Sequence, residues 1–259
     1  PTSISDSKRI RDILKNTEIV VNTIGILNEF DQINTFENIH FKFLQRLSQE
    51  IKANKIKRFL HISSLNAKID QMSDYLHTKG KAEDFILNEM SSFCNTTIFR
   101  PSIVFGEEDS FFNKFAKLLK FIPIFPLACP YARFQPIYVG DLTDFMISCI
   151  SNIETYNKRI DTVGPKIYTF SELIKLTTRT MGIRRVIIPL NDSLSKAQAY
   201  VFQNLPGKLF TMDNYYSLQI DSVSKNGYVG KTTVEHTLPN YLNIKDESEE
   251  LRKKAGRKK

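Results

Sequence analysis

Apolar positions along the 259-residue chain switch repeatedly between two periods. Ile10, Ile13 and Leu14 recur at helical spacing, and the unbroken apolar run Ile19-Val20-Val21 then leads into Asn22-Thr23-Ile24-Gly25. Ile39, Phe43, Leu44, Leu47 and Ile51 share one face of a longer amphipathic helix that ends near Ala53-Asn54, and Arg58 to Ser63 is strand-like again. After a polar loop, Ala82 to Met90 reads as helix and Thr96 to Phe99 as strand. Strands that are apolar without alternation have both faces covered, as in a parallel sheet between helices. The pattern predicts an α/β fold.

Past residue 105 the texture changes. Phe111, Phe112, Phe115, Leu118 and Leu119 mark a helix, and the proline-rich stretch Pro123 to Pro136 reads as an irregular connection. Pro136 to Val139 is a short strand, with Asp141 placed to N-cap the helix carrying Phe145, Met146 and Cys149. Thr169 and Glu172 have capping-box spacing for a helix that closes at Gly182, and shorter helices and turns run on to about Leu242. A main α/β lobe followed by a small, mainly helical C-terminal lobe is expected.

With 41% hydrophobic and 25% charged residues the composition is that of a folded domain, which excludes disorder and fibrous repeats. The net charge of +8 is concentrated at one end: Arg252, Lys253, Lys254, Arg257, Lys258 and Lys259 lie in the last eight positions, and without them it falls to +2. The body is therefore near neutral, and no strand interleaves cations with aromatics, so no nucleic-acid partner is expected. The basic tail, residues 245–259, is read as disordered and as a candidate for peripheral membrane contact. The longest apolar stretch, Phe121 to Cys129, is too short to span a bilayer and is cut by Pro123 and Pro126. Cys94, Cys129 and Cys149 are odd in number and widely spaced, which fits a reducing compartment, and His40, His61, His77 and His236 have no metal-ligand spacing. No metal site is expected. The chain begins at Pro1, so it is expected to be processed or part of a longer polypeptide.

Open parallel sheets bind ligands at the carboxyl ends of their strands. Those ends carry Asn22, Thr23 and Gly25, then Ser63, Ser64 and Asn66, then Arg100, Pro101 and Ser102. Gly25 allows a ligand close to the backbone. Tyr75 and Lys79 at i and i+4 share one face of a helical turn, so the ammonium is expected to lower the phenol's pKa toward neutrality for acid–base work on a carbonyl or alcohol. Ser63, twelve residues before Tyr75 at a strand end, is placed to hold the reacting oxygen.

Ser63, Tyr75 and Lys79 match the serine, tyrosine and lysine of the short-chain dehydrogenase/reductases, in their extended, epimerase/dehydratase-like branch. Six blocks in order narrow the resemblance: residues 21–27, 61–67, 75–83, 99–106, 134–141 and 164–170 are similar to the nucleotide-binding accessory subunits of respiratory complex I and their bacterial homologues. The resemblance implies a Rossmann-like NAD(P)-binding domain over residues 1–150 and a C-terminal lobe over 151–244 that completes the cleft. It implies catalytic roles for Ser63, Tyr75 and Lys79, with Pro101, Ser102, Ile103 and Val104 against the nicotinamide and Asn22, Thr23 and Gly25 toward the adenosine side. It further implies NADP(H) or NAD(H) held mainly for structure and assembly, complex I subunits as partners, and a bacterial cytoplasmic or mitochondrial matrix-side location at the inner membrane.

One departure is large. The family's glycine-rich, pyrophosphate-binding turn follows its first strand, whereas no glycine here precedes Gly25. The N-terminal βαβ portion is expected to be missing, which makes the chain a fragment whose dinucleotide binding is weakened or lost. Two other functions stay open: an active reductase or epimerase using the three matched residues, and a truncated split-gene product that binds no cofactor.

Overall fold

The computed structural model describes residues 7–205 and 207–242, so the basic tail lies outside the described residues. In chain order, α1 (Ser7–Leu14) and β1 (Ile19–Asn22) lead through a π-helical segment into α2 (Phe43–Ala53), followed by β2 (Arg58–Ile62), α3 (Asp74–Asn88) and β3 (Asn95–Pro101). Next come β4 (Val104–Phe105), α4 (Phe112–Phe121), β5 (Ile124–Leu127), β6 (Arg133–Phe134), β7 (Ile137–Tyr138) and α5 (Val139–Ser148). The remainder comprises β8 (Lys158–Val163), β9 (Tyr168–Thr169), α6 (Phe170–Thr180), β10 (Val186–Pro189), α7 (Asp192–Phe202), α8 (Met212–Ser217), β11 (Tyr228–Val229) and α9 (Val234–Leu242).

The central sheet has the order β1-β2-β3-β8-β11, and every pair in it is parallel. The α/β, Rossmann-like layering is thus as the apolar runs predict. Alternate residues of each strand feed different cores. Phe59 and Ile98 pack with Phe43, Leu44 and Leu47 of α2 and Ala82 and Ile86 of α3, whereas Leu60 and Phe99 pack with Leu142 and Met146 of α5. Arg58, buried in β2, ties these layers together by donating to the carbonyls of Cys149 and Ile150 and to Thr97 Oγ1. A third core gathers Phe105, Phe112, Phe134, Phe170, Leu173 and Leu238 around α4, α6 and α9.

Several local expectations change in three dimensions. The 150/151 boundary does not divide the sheet, because β8 and β11 come from residues beyond it. The stretch Pro123 to Pro136 contains β5 and β6, whose partners β10 and β9 lie far along the chain and are invisible to local patterning. Asp141 does not cap α5, which starts at Val139; its carboxylate instead accepts from the backbone N–H groups of Lys231 and Thr232. The Thr169/Glu172 capping box is present, and Gly182 takes a positive φ after α6. Helix α3 begins at the Ser73 cap, well before Ala82, because Ser73 Oγ accepts from Leu76 N–H.

Candidate functional site

The carboxyl ends of β1, β2 and β3 open onto a cleft of about 460 Å³, closed on its far side by the region around α4 and α8. Helix α3 brings the tyrosine and lysine to this edge. It can do so because Gly80 lies against the backbone of Lys68, where a Cβ would sit 2.5 Å from main-chain atoms. Thr23, Gly25, Ser63, Tyr75, Lys79, Pro101, Ser102, Ile103 and Val104 all line the cleft. Asn22 does not. It is buried behind the strand end, where Oδ1 accepts from Ile24 N–H at 3.1 Å and Nδ2 lies 3.1 Å from His61 Nδ1.

Lys79 is buried and donates to the carbonyl of Ile62 at 3.1 Å. Burial lowers its pKa to about 8, opposed by the charge of Glu83 one turn on. Glu83 is fully buried and receives Arg100 Nε and Arg159 Nε, which bind α3 to β3 and β8. At Gly25 an added Cβ would lie 3.1 Å from Lys79 Nζ, so the missing side chain keeps the ammonium reachable from the cleft.

The expected lowering of the Tyr75 pKa is not what the structure gives. Burial raises it, a hydrogen bond with Ser64 pulls the other way, and the charge of Asp213 raises it further. The Lys79 ammonium is engaged at the Ile62 carbonyl. The Tyr75 ring is held edge-on by Phe36 and His40, with centroids 5.8 and 5.5 Å away. Asp213 of α8 accepts from Tyr75 N–H at 3.3 Å and from Ser73 Oγ at 3.1 Å, fixing the start of α3.

Ser64 lies near enough to the phenol to pull its pKa down, while its Oγ donates to Leu65 O at 3.3 Å. Ladder bonds continue past β2, from Ser63 N–H to Phe99 O and from Leu65 N–H to Pro101 O, so the two serines point to opposite faces. Ser63 Oγ is buried with no partner in the protein, as is Nε2 of His61. Since Asn22 donates to His61 Nδ1, the His61 proton sits on that unpartnered Nε2. Sequence spacing singles out Ser63, and strand parity separates it from Ser64. His40 is buried beside Tyr75, with its pKa lowered to about 3 by burial and by the charge of Lys79. Ser102 is occupied elsewhere, donating to Ser222 O at 2.7 Å and so joining β3 to the C-terminal region.

The two ends of the cleft differ. The α3 end is polar, whereas the far end is walled by Phe111, Phe115, Phe134, Phe170, Leu209 and Ile220. Lys79 and Lys114 are the only charged groups among the described lining residues. The nicotinamide–ribose end of a dinucleotide fits the polar part: the glycine at position 25 admits close approach, and Lys79 Nζ lies beside it. No glycine-rich turn for a pyrophosphate is present in the sequence.

Residues 63–173 match the 3-beta hydroxysteroid dehydrogenase/isomerase family. The mouse protein "NADH dehydrogenase [ubiquinone] 1 alpha subcomplex subunit 9, mitochondrial" is 30% identical over 172 residues, covering 66% of this chain and 44% of the relative. Its Dictyostelium discoideum namesake is 26% identical over 220 residues, covering 84% of this chain and 59% of the relative. The chain thus spans about half the length of the curated relatives it matches. Among solved structures, UDP-glucuronic acid 4-epimerase from Bacillus cereus in complex with UDP-glucuronic acid and NAD superposes with a TM-score of 0.68 at 14% identity, covering 95% of this chain and 81% of the enzyme. The resemblance read from the six blocks holds: the sequence relatives are complex I subunits by name, and the fold is that of the extended epimerases.

Proposed function

We propose that this chain is a dinucleotide-binding, short-chain-dehydrogenase-like protein of the complex I accessory type, in which NAD(P)H serves mainly structure and assembly. The observation that carries the reading is the convergence of Gly25, Ser63, Ser64, Tyr75 and Lys79 at one strand-end cleft. Lys79, still largely charged at neutral pH, would hold the ribose hydroxyls, and Pro101 to Val104 would lie against the nicotinamide. A structural role is favoured by the Tyr75 phenol, whose pKa is raised rather than lowered. Residues 1–259 supply no glycine-rich turn to neutralise the pyrophosphate, so this polypeptide taken by itself is expected to bind weakly, with Kd on the order of 0.1–1 mM.

Calorimetric titration of the full chain with NADPH and NADH tests this. Saturable one-to-one binding in that range, weakened by Lys79→Met, is expected. No heat at millimolar dinucleotide sinks the reading, and sub-micromolar binding sinks the claim of weakened affinity. Association with complex I subunits is tested by co-migration on native gels from the source membranes.

A second reading, an active reductase, is favoured by the pairing of Tyr75 with Ser64. A bound reduced dinucleotide would supply hydride to a substrate carbonyl carbon. Tyr75, protonated at neutral pH, would donate its proton to the carbonyl oxygen, with the Ser64 hydroxyl steadying that oxygen. The aromatic far wall suits an apolar carbonyl compound better than a nucleotide sugar, whose diphosphate would find only Lys114 there. Substrate-dependent NADPH oxidation that falls roughly a thousandfold in Tyr75→Phe would establish it.

A further inference from the structure

We propose that the outer face of the β5–β10 pair docks on an anionic lipid bilayer. Strands β5 and β10 form a parallel pair of their own, in which Val186 lies beside Ile124 and Ile188 beside Pro126. The inner positions Phe125, Leu127 and Ile187 pack into the core shared with α4 and α6. The outer positions have no cover: Ile124 is 56% exposed, Val186 59% and Ile188 44%, and Phe121 at the end of α4 reaches 84%. Parallel strands are ordinarily covered on both faces, so an open apolar face on such a pair is one that a partner covers. Helix α7 widens it. Gln198 reaches Pro126 O at 3.1 Å, and exposed Leu194 and Val201, four residues before and three after it, share that side of the helix.

The charge around this face identifies the occupant. Residues 112–127 and 181–190 contain Lys117, Lys120, Arg184 and Arg185, with Lys114 on the cleft side, and no aspartate or glutamate, while α7 adds Lys196 and one acid, Asp192, which accepts from Tyr215 Oη at 2.7 Å. Lys117, Lys120 and Arg184 are exposed beside the apolar residues, while Arg185 donates to the carbonyls of Leu119 and Lys120 and fixes β10 to the end of α4. A second copy docked through the same face would set these cations against one another. A bilayer rich in acidic headgroups instead matches a flat apolar surface ringed by cations: side chains such as Phe121 enter the acyl boundary and the lysines and arginine meet phosphates. Phe121, Ile124, Val186 and Ile188 do not line the cleft.

The chain contains no tryptophan, so Phe121→Trp in the full-length chain supplies a single reporter. Vesicles of phosphatidylcholine with one third phosphatidylglycerol are expected to shift the indole emission to the blue, and brominated acyl chains to quench it. Pure phosphatidylcholine should do neither. In the same reporter chain, Lys117→Glu with Arg184→Glu should lower partitioning by on the order of tenfold. Ile124→Ser with Val186→Ser should abolish the shift while thermal unfolding stays unchanged. Replacing the six terminal basic residues should weaken sedimentation with vesicles but leave the blue shift of the bound fraction. Vesicle binding with an indole that stays water-exposed would assign the contact to the tail alone and overturn the proposal. So would a lipid-independent shift that accompanies dimerisation, or a shift produced by an acidic protein but not by vesicles.

Discussion

The two ends of the cleft are built by different means. At the α3 end, positions are set by main-chain register: Lys79 is held by Ile62 O, and the strand-end serines by ladder bonds to β3. At the far end, Phe111, Phe115, Phe134 and Phe170 hold one another through ring contacts with centroids 5.0–6.2 Å apart. Directional bonds fix an atom to within tenths of an ångström, whereas ring packing fixes only volume and shape. The polar end is suited to placing a reacting or binding group, and the apolar end to choosing what lies beyond it.

The largest expected effect is on the polar end. Glu83→Ala leaves Arg100 and Arg159 without their shared buried carboxylate and should cost about 3–5 kcal/mol in chemical denaturation. It should also make Lys79 easier to deprotonate, since Glu83 is the group that opposes the effect of burial. Phe170→Ala should cost about 3 kcal/mol and enlarge the apolar end while leaving dinucleotide affinity unchanged. The two losses should add in the double variant, because no contact is shared; strong coupling would show that the ends are one unit.

Acid should act through the polar end. His40 in the folded state titrates near 3, against 6.5 when unfolded, so the unfolded chain binds the extra proton and stability falls as pH drops through that window. On the order of 2 kcal/mol is lost by pH 5 from this group. His61 acts in the same direction. His40→Gln should flatten the stability profile between pH 5 and 7, and an unchanged slope would exclude this origin. The smallest effects separate the serines. Ser63→Ala removes an unpartnered buried hydroxyl and should change stability by less than about 1 kcal/mol, either way. Ser64→Ala should raise the Tyr75 pKa further, read by ultraviolet titration against Tyr75→Phe.

How legible each part was follows the range of the interactions involved. The apolar runs at 19–21, 58–62 and 96–99 become three neighbouring strands of the sheet, because a strand buried on both faces must be apolar along its length. The capping box at Thr169 is local and is found where its spacing puts it. Tyr75 and Lys79 reach the cleft together because an i, i+4 pair on α3 shares a face. Their electrostatics were not legible: the depth of burial, not the spacing, decides that the phenol's pKa is raised. Asp213 was missed for the same reason, since it arrives from far along the chain; Ser64 was among the strand-end polar residues, but its place beside Tyr75 depends on which way a strand residue points.

The sequence by itself determined the strands β1 to β3, the helices α2 and α6, the parallel habit of the sheet, and the edge at which polar residues collect, since these follow from periodicity and from where strands end. Only the tertiary structure decided that β8 and β11 complete the sheet, that Ser64 lies near Tyr75, and that β5 and β10 pair with an apolar face left open. Each of those depends on contacts between residues tens of positions apart, whose free energy is set by burial and desolvation in the assembled fold and leaves no periodic trace along the chain.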